Sequence, residues 1–320
     1  DVLVSICCIT YNHAAYIRQC LDGFLLQKTN FKFEILIHDD CSTDGTMEII
    51  KEYENKYPDI IKPMYEKENQ YQNGKPSGST VWNLPRAKGK YWAMCEGDDF
   101  WTDEYKLQKE VDFLEQNNDY GMIYTRARKY FDDARKYSKN IFGTDYKNFK
   151  SLLLTGNCIP TLSICARTNL LWKYLVDVVP NEKNWLMGDY PMWLWMSKNS
   201  KIMFLPDITC VYRVLKNSAS HSPNYEKSKM FINSTADVRY FFAESEEDYE
   251  IIKNIQILDT VIKALQLRIK INLKEELKDY NKISVTIADK DAPIVVLFGP
   301  PACGKTMTLV RLTRFLSENG

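Results

Sequence analysis

Glu96, Asp98 and Asp99 crowd together directly after the apolar run YWAMC, which predicts a buried strand. Carboxylates this close repel one another, so we expect a positive partner among them. Oxygen ligands without a histidine or thiolate pattern suit Mg²⁺ or Mn²⁺ better than zinc. The alternative is that Asp98 and Asp99 are surface turn residues that cap a following helix.

Two further acidic sites favour the functional interpretation. Asp40 follows Asp39 directly after the strand-like residues 33–38. Asp189 stands two residues before Pro191, and proline is favoured in the first turn of a helix. This pattern places the Asp189 carboxylate at a helix N-terminus, where a negative charge is stabilised. The alternative is that Asp189 only caps its helix.

These sites need a frame, and the apolar pattern predicts one. Strand-like runs alternate with helical faces through the first 125 residues, which indicates an α/β fold with a mostly parallel sheet and a ligand at the carboxyl ends of the strands. After residue 130 the alternation ends, and an α+β half follows as far as about residue 217. The predicted strands are residues 2–9, 33–38, 60–65, 91–95 and 121–125.

Residues 225–282 form a predicted helical extension. Its apolar residues recur at heptad spacing for fewer than three heptads, which favours a helix docked on its own domain. A homodimer contact is the alternative, and the basic residues after 262 would also suit a peripheral membrane contact. The apolar positions are Ile251, Ile255, Leu258, Ile262, Leu265 and Ile269.

Composition excludes several classes of protein. Of the 320 residues, 42 are Lys or Arg and 42 are Asp or Glu, so no global charge draws in nucleic acid. The nine cysteines lack a CxxC pair and lie mostly in apolar runs, which predicts buried free thiols in a reducing cytoplasm. Without a predicted membrane span or signal peptide, we expect a cytoplasmic protein, at most associated with the inner face of the membrane.

A different motif lies in residues 283–320. Residues 299–306 match G-x-x-x-x-G-K-[ST], between a predicted strand at 294–298 and a helix-like segment, as in a P-loop. The residues that follow leave no room for a Walker-B aspartate, so we interpret the segment as a P-loop-like fragment without ATPase activity. The motif residues are Gly299, Gly304, Lys305 and Thr306.

Together the motifs of residues 2–215 resemble the family 2 inverting glycosyltransferases of the GT-A fold. The family's strand signature is similar to VSICCITYN at 4–12, and its DDGSTDGT motif to DDCSTDGT at 39–46. EGDD at 96–99 resembles the metal motif D-x-D-D with glutamate first, MGD at 187–189 the acidic acceptor-side motif, and VYRV at 211–214 the late Y-R motif. The histidine that usually follows Y-R is replaced by Leu215. The resemblance implies a GT-A domain over residues 1–224.

The resemblance implies a metal-dependent, inverting hexosyltransferase of polysaccharide biosynthesis. Its donor would be a nucleotide-sugar, first of all a UDP-sugar, and its acceptor a hydroxyl of a glycan or lipid-linked acceptor. Asp189 would be the catalytic base, and one base with direct displacement inverts the anomeric carbon. The implied donor residues are Thr10, Tyr11, Asn12, Asp40, Glu96 and Asp98. Asp98 and Asp99 would hold Mn²⁺ or Mg²⁺, and Arg213 or His221 would bind phosphate.

Two alternative functions remain open at this stage. One is a nucleotide-binding regulatory protein in which the P-loop is the active part and the glycosyltransferase-like domain is non-catalytic. The other is a glycosyltransferase-like protein that binds a donor without transferring its sugar. The presence of Asp40, Asp99 and Asp189 argues against the second alternative.

Overall fold

The structure is a computed structural model that describes residues 1–75, 78–215 and 224–267, and the backbone of 284–287 and 295–298. The chain forms two compact units. The first unit comprises residues 1–149, 157–184 and 188–215, and the second comprises 150–156, 185–187 and 216–320.

The described part of the first unit is built on one nine-stranded sheet. Its strand order is β3-β2-β1-β4-β8-β6-β9-β5, and β7 pairs with β6. The strands are β1 (Val2–Thr10), β2 (Lys32–Asp39), β3 (Ile61–Tyr65), β4 (Tyr91–Met94), β5 (Phe100–Trp101), β6 (Tyr120–Phe131), β7 (Lys136–Phe142), β8 (Cys165–Arg167) and β9 (Lys201–Val214).

The half of the sheet formed by β3, β2, β1 and β4 is wholly parallel. β1 is a nearly continuous buried run because it lies in the middle of this half. Thr10 pairs with Asp39, and Cys7 pairs with Met94, so the carboxyl ends of β1, β2 and β4 lie side by side. The parallel half of the sheet that the sequence predicts is confirmed.

The other half mixes strand directions. β8 is antiparallel to β4 and β6, β9 is parallel to β6, and β5 is antiparallel to β9. Parallel and antiparallel strands are therefore mixed in this half of the sheet, as expected for the predicted α+β half. β6 is longer than its predicted span because residues 126–131 continue into a hairpin with β7, whose mostly exposed residues carry no apolar pattern.

Helices flank the sheet and connect its strands. α4 begins at Lys106, after the short strand β5, so the acidic residues do not directly cap a helix. The α-helices among the described residues are α1 (Ile17–Leu25), α2 (Thr46–Lys56), α3 (Ser79–Trp82), α4 (Lys106–Gln116), α5 (Phe149–Thr155), α6 (Thr168–Val178), α7 (Asp189–Asn199), α8 (Tyr225–Phe242) and α9 (Glu246–Gln266).

The predicted apolar cysteines are part of the core. They are buried and free of disulfides, as predicted, and burial raises the thiol pKa of Cys7 and of other members of this set. Neutral thiols in apolar surroundings serve as packing groups rather than nucleophiles. These cysteines are Cys7, Cys8, Cys95, Cys165 and Cys210.

The second unit contains α8 and α9, which pack on each other. The predicted single helical segment is interrupted at 243–245, where Ala243 is extended. The buried face of α9 includes Ile252 and Ile255, while Ile251 and Leu258 are half-buried. The buried face therefore coincides with the predicted heptad stripe at Ile255 and departs from it at Ile251 and Leu258. Two short segments join this unit, since the Leu186 backbone N–H donates to Ser234 Oγ at 2.8 Å and Lys150 pairs with Asp248 at 2.5 Å.

The strand predicted before the P-loop motif is present as β11 (Val295–Phe298). It pairs antiparallel with β10 (Ser284–Ile287). The motif itself, with Gly299, Gly304 and Lys305, lies outside the described residues. Among the described helices, none has the length and apolar character that crossing a membrane requires.

Candidate active site

The acidic residues form a tight turn between β4 and β5. The Asp99 backbone N–H donates to the Glu96 carbonyl at 3.0 Å, and the Gly97 N–H donates to the Ile9 carbonyl at 3.0 Å. Gly97 packs directly on Thr10 at the end of β1. The turn, which we call the acidic turn (residues 96–99), is thereby fixed against the neighbouring parallel strand.

Replacing Gly97 by alanine should displace this turn. A Cβ at that position would lie 2.6 Å from Thr10 Oγ1 and 2.8 Å from Thr10 Cβ, so atoms must move. We expect Gly97→Ala to lower the free energy of unfolding by about 1–3 kcal/mol, the usual cost of overpacking. Urea unfolding measures this effect.

Gly188→Ala is the matched control for that variant. No atom lies within 4 Å of the position a Gly188 Cβ would take, so its free energy of unfolding should stay close to that of the wild type. A Gly97→Ala protein as stable as the Gly188→Ala protein would show that the acidic turn is not packed as described.

The Asp99 side chain points into the protein, toward the backbone of β9. Its Oδ1 accepts the backbone N–H of Arg213 at 2.6 Å, and its side chain is almost fully buried. Burial, with the charge of Asp98 adding to it, raises the pKa of Asp99 well above its usual range. Asp99 therefore ties the acidic turn to β9.

Arg213 places a positive charge beside the acidic turn. Its guanidinium donates to the Asp98 carbonyl and to Gln19 Oε1, and it lies over the rings of Tyr16 at 4.7 Å and Phe100 at 5.0 Å. The Arg213 side chain therefore holds the acidic turn in place through the Asp98 carbonyl. His221, the other residue assigned to phosphate, lies outside the described residues.

Three buried polar atoms gather around the acidic turn without a protein partner among the described residues. They are Thr10 Oγ1, His13 Nδ1 and Asp98 Oδ1. A Cβ on Gly97 would lie 3.0 Å from His13 Nδ1, so the three side chains meet at this glycine. Burial lowers the pKa of His13, which the charge of Asp98 opposes. Buried polar groups normally find partners, so this arrangement is typical of a site that a ligand completes.

Asp189 lies close enough to the acidic turn for its charge to act on Glu96. The Glu96 side chain is exposed, yet the protein around it removes enough solvation to raise its pKa, and the charges of Asp98 and Asp189 add to that shift. Asp189 is the first residue of α7, and its carboxylate accepts a hydrogen bond from Thr161 Oγ1 at 2.7 Å. The charge of Asp189 therefore acts on Glu96 of the acidic turn.

At the end of β2, Asp40 lies beneath the loop of residues 66–75. Its two carboxylate oxygens accept the backbone N–H groups of Gln70 at 2.7 Å and Tyr71 at 3.1 Å. Gln72 Nε2 donates to the Tyr11 hydroxyl at 3.3 Å, so the same loop contacts both residues. Asp40 is therefore held in a fixed position beside Tyr11.

Asn12 has a structural part in this region. Its backbone is left-handed, with a φ of 54°, and its Oδ1 accepts the Thr43 N–H at 2.8 Å. The Asn12 N–H in turn contacts Ser42 Oγ at 2.8 Å. Asn12 thus joins the loops that follow β1 and β2. The family resemblance instead implies a role for Asn12 in binding of the nucleotide-sugar donor.

The structure brings together most of the predicted site residues of the first unit. Sequence reasoning did not identify Asn157, Thr161 or His13, because an isolated asparagine, threonine or histidine carries no spacing signal. The tyrosine and acidic motifs identify residues at the strand ends, but they carry no information about side chains that pack beside them. The predicted residues that meet around the acidic turn are Thr10, Glu96, Asp98, Asp99, Asp189 and Arg213.

Within residues 1–75, 78–215 and 224–267, no group of three or more His, Cys, Asp or Glu side chains forms a metal site. A divalent cation nevertheless fits the acidic turn, since Asp98 Oδ1 is buried without a partner and Glu96 lies beside it. Mg²⁺ is commonly bound through one or two carboxylates together with substrate phosphates, rather than in an all-protein cage.

The fold is similar to that of known GT-A glycosyltransferases. Staphylococcus aureus TarS in complex with UDP matches with a TM-score of 0.54 and 19% identity, over 88% of this chain and 76% of that chain. The Pyrobaculum calidifontis mannosyltransferase PcManGT, in complex with GDP-Man and Mn²⁺, matches with a TM-score of 0.56 and 14% identity, over 97% and 79%. The likeness lies in the mixed α/β fold with its mostly parallel sheet.

Residues 5–173 match the glycosyl transferase family 2 model, so the chain belongs to that family of glycosyltransferases. An uncharacterized protein of Mycobacterium tuberculosis is 33% identical over 232 residues, which are 71% of this chain and 63% of that protein. The chain thus spans less than two thirds of that relative. The UDP-Glc:α-D-GlcNAc-diphosphoundecaprenol β-1,3-glucosyltransferase WfaP of Escherichia coli is 28% identical over 68% of this chain and 80% of WfaP.

Proposed function

We propose that the protein transfers a sugar from a nucleotide-sugar, first of all a UDP-sugar, to a hydroxyl of a glycan or lipid-linked acceptor, with inversion. The observation that carries this proposal is the set of unpartnered buried polar atoms around the acidic turn. This set lies at the carboxyl ends of parallel strands, where α/β folds bind nucleotides, and within the electrostatic reach of Asp189.

In this proposal the nucleotide base lies between Tyr11 and Asp40. A carboxylate oxygen has two acceptor sites, so each Asp40 oxygen can accept an N–H from a uracil ring in addition to its backbone donor. Thr10 Oγ1 and Asn12 border the same strand ends. The TarS complex with UDP supports the choice of nucleotide.

Mn²⁺ or Mg²⁺ would be held by Asp98 and Glu96, with donor phosphates completing its coordination. When bound, the ion stabilises the negative charge that develops on the departing nucleoside diphosphate. The sequence assigns this role to Asp98 and Asp99 together. We favour Asp98 as the direct ligand because Asp99 is committed to the Arg213 amide.

Arg213 would act on the donor side through the acidic turn. Its guanidinium is engaged by the Asp98 carbonyl and Gln19, so we propose that it positions the turn rather than binding phosphate directly. Whether His221 contacts phosphate remains a prediction from the family resemblance.

On the acceptor side, Asp189 would remove the proton of the attacking hydroxyl. The acceptor oxygen then attacks the anomeric carbon as the bond to the diphosphate breaks. One displacement inverts that carbon, and no second carboxylate nucleophile is required. The name of WfaP supports a lipid-linked acceptor, which would bring the protein into peripheral contact with a membrane during polysaccharide biosynthesis.

Release of nucleoside diphosphate tests the proposed function. The protein is incubated with UDP-glucose, UDP-GlcNAc or GDP-mannose and Mn²⁺, with water as acceptor, and the free diphosphate is measured. We expect release from a UDP-sugar, loss of release in excess EDTA and recovery when Mn²⁺ is restored. Release that continues unchanged in EDTA would refute metal dependence, and no release from any donor would count against transfer.

A further inference from the structure

Two polar side chains outside the acidic turn hold the Asp189 carboxylate. Thr161 Oγ1 and Asn157 Nδ2 both donate to Asp189 Oδ2, at 2.7 Å and 3.2 Å. The Asn157 amide is oriented by the Ile159 N–H, which donates to Asn157 Oδ1 at 3.0 Å. The Tyr190 N–H donates to Asp189 Oδ1 at 2.7 Å. Because a carboxylate oxygen has two acceptor sites, the described residues fill Oδ2 and leave one site on Oδ1.

Thr161 is itself held firmly. It begins a short 3₁₀ helix, Thr161–Ser163, in which Ser163 Oγ donates to the Pro160 carbonyl at 2.7 Å. The Leu162 carbonyl accepts the indole N–H of Trp101 at 2.7 Å. Trp101 is buried and lies in β5, two residues after the acidic turn. One indole therefore connects the strand that follows the acidic turn to the segment that carries Thr161.

Capping of α7 does not account for this arrangement. The Tyr190 N–H, which lies in the first turn of α7, already donates to Oδ1, whereas Thr161 and Asn157 donate to the other oxygen. Donors on two different oxygens fix both the direction and the plane of the carboxylate.

We propose that Thr161 and Asn157 are positioning residues that turn Asp189 Oδ1 toward the acceptor hydroxyl, so that Oδ1 is the atom that takes the proton. This inference rests on the proposed function. In the step, the acceptor proton moves to Oδ1 and the acceptor oxygen bonds to the anomeric carbon. The bond from that carbon to the diphosphate oxygen breaks, and its electron pair leaves with the diphosphate.

Thr161→Val tests the role of the hydroxyl, because valine keeps the shape of threonine but cannot donate. The assay is UDP release from UDP-glucose with Mn²⁺ and water as acceptor. We expect kcat to fall by about 10- to 100-fold, the range for losing a hydrogen bond to a charged group, while KM for the donor stays within about twofold. Thr161→Ser, which restores the donor, should return kcat to within about threefold of the wild type.

A double-mutant cycle separates positioning from a general structural role. In the Asp189→Asn background, Thr161→Val should cause no further loss of kcat, because the group it orients is already inactive. A kcat for Thr161→Val within twofold of the wild type, or an equal loss in both backgrounds, would overturn the inference.

The outcome for Asp189→Asn alone distinguishes the two levels of the account. Unchanged kcat in Asp189→Asn would refute the proposed base, and with it the inference. A large loss in Asp189→Asn combined with full activity in Thr161→Val would refute the positioning role while leaving the base in place. A Thr161→Ser protein that folds and binds UDP but stays as slow as Thr161→Val would also contradict the positioning role of the hydroxyl.

Discussion

Asp189→Asn should lower kcat by about 10²- to 10⁴-fold, the usual contribution of general-base catalysis, while donor affinity is retained. Asparagine keeps the size of the side chain and caps a helix about as well as aspartate, so α7 should still form. It can still accept from Thr161 or Tyr190 through its carbonyl oxygen, but it cannot take a proton from a hydroxyl. Steady-state kinetics at saturating donor, with a parallel titration of UDP, separate the two effects.

Glu182→Gln is the matched control for this variant. Glu182 is an exposed carboxylate in the 3₁₀ helix Pro180–Glu182, which precedes α7 in the chain. We assign it no part in the reaction. Its replacement should leave kcat unchanged. A kcat for Asp189→Asn within about threefold of the wild type, when chemistry limits turnover, would remove Asp189 from the mechanism. A large loss in Glu182→Gln would make that residue the candidate base.

Asp98→Asn should abolish the effect of Mn²⁺ on donor binding. Asp98 Oδ1 is a buried carboxylate oxygen of the acidic turn without a described partner, and replacing Asp98 by asparagine removes the charge that a divalent cation requires. We expect UDP to bind to the variant with the same weak affinity in Mn²⁺ and in EDTA. Calorimetric titration with UDP measures both conditions.

Asp99→Asn provides the comparison. The amide oxygen of asparagine can still accept the Arg213 N–H, and removing a buried charge whose pKa is raised by burial relieves a cost in the folded protein. We therefore expect Mn²⁺-dependent UDP binding within about threefold of the wild type. Loss of metal-dependent binding in Asp99→Asn but not in Asp98→Asn would reverse the assignment.

The sequence was sufficient to predict the parallel half of the sheet. It also predicted which polar residues lie at the carboxyl ends of the strands. Thr10, Asp40 and Glu96 lie at strand ends because buried β-branched and aromatic runs set the strands, and register follows from burial. Asp189 was found through the proline that follows it. These are local signals, visible within a few residues.

The contacts that complete the site are not local. Arg213 meets Asp99 across 114 positions of sequence, and Thr161 meets Asp189 across 28. Neither residue type has a spacing rule that would connect it to a carboxylate so far away. The roles of Asp98 and Asp99 depend on which of the two carboxylates is turned into the protein. Two adjacent aspartates in a sequence do not indicate which one that is.

A thermal-shift panel of the full chain tests the central claim most directly. UDP-glucose, UDP-GlcNAc, GDP-mannose and ATP are each added with and without Mn²⁺, to the wild type, to Asp98→Asn and to Lys305→Ala. We predict that a UDP-sugar raises the unfolding midpoint in a manner that needs Mn²⁺ and Asp98 but not Lys305. At 100 times its Kd such a ligand adds about 2.7 kcal/mol of stability. Stabilisation by ATP alone, lost in Lys305→Ala and kept in Asp98→Asn, would contradict the account and favour the P-loop as the active part.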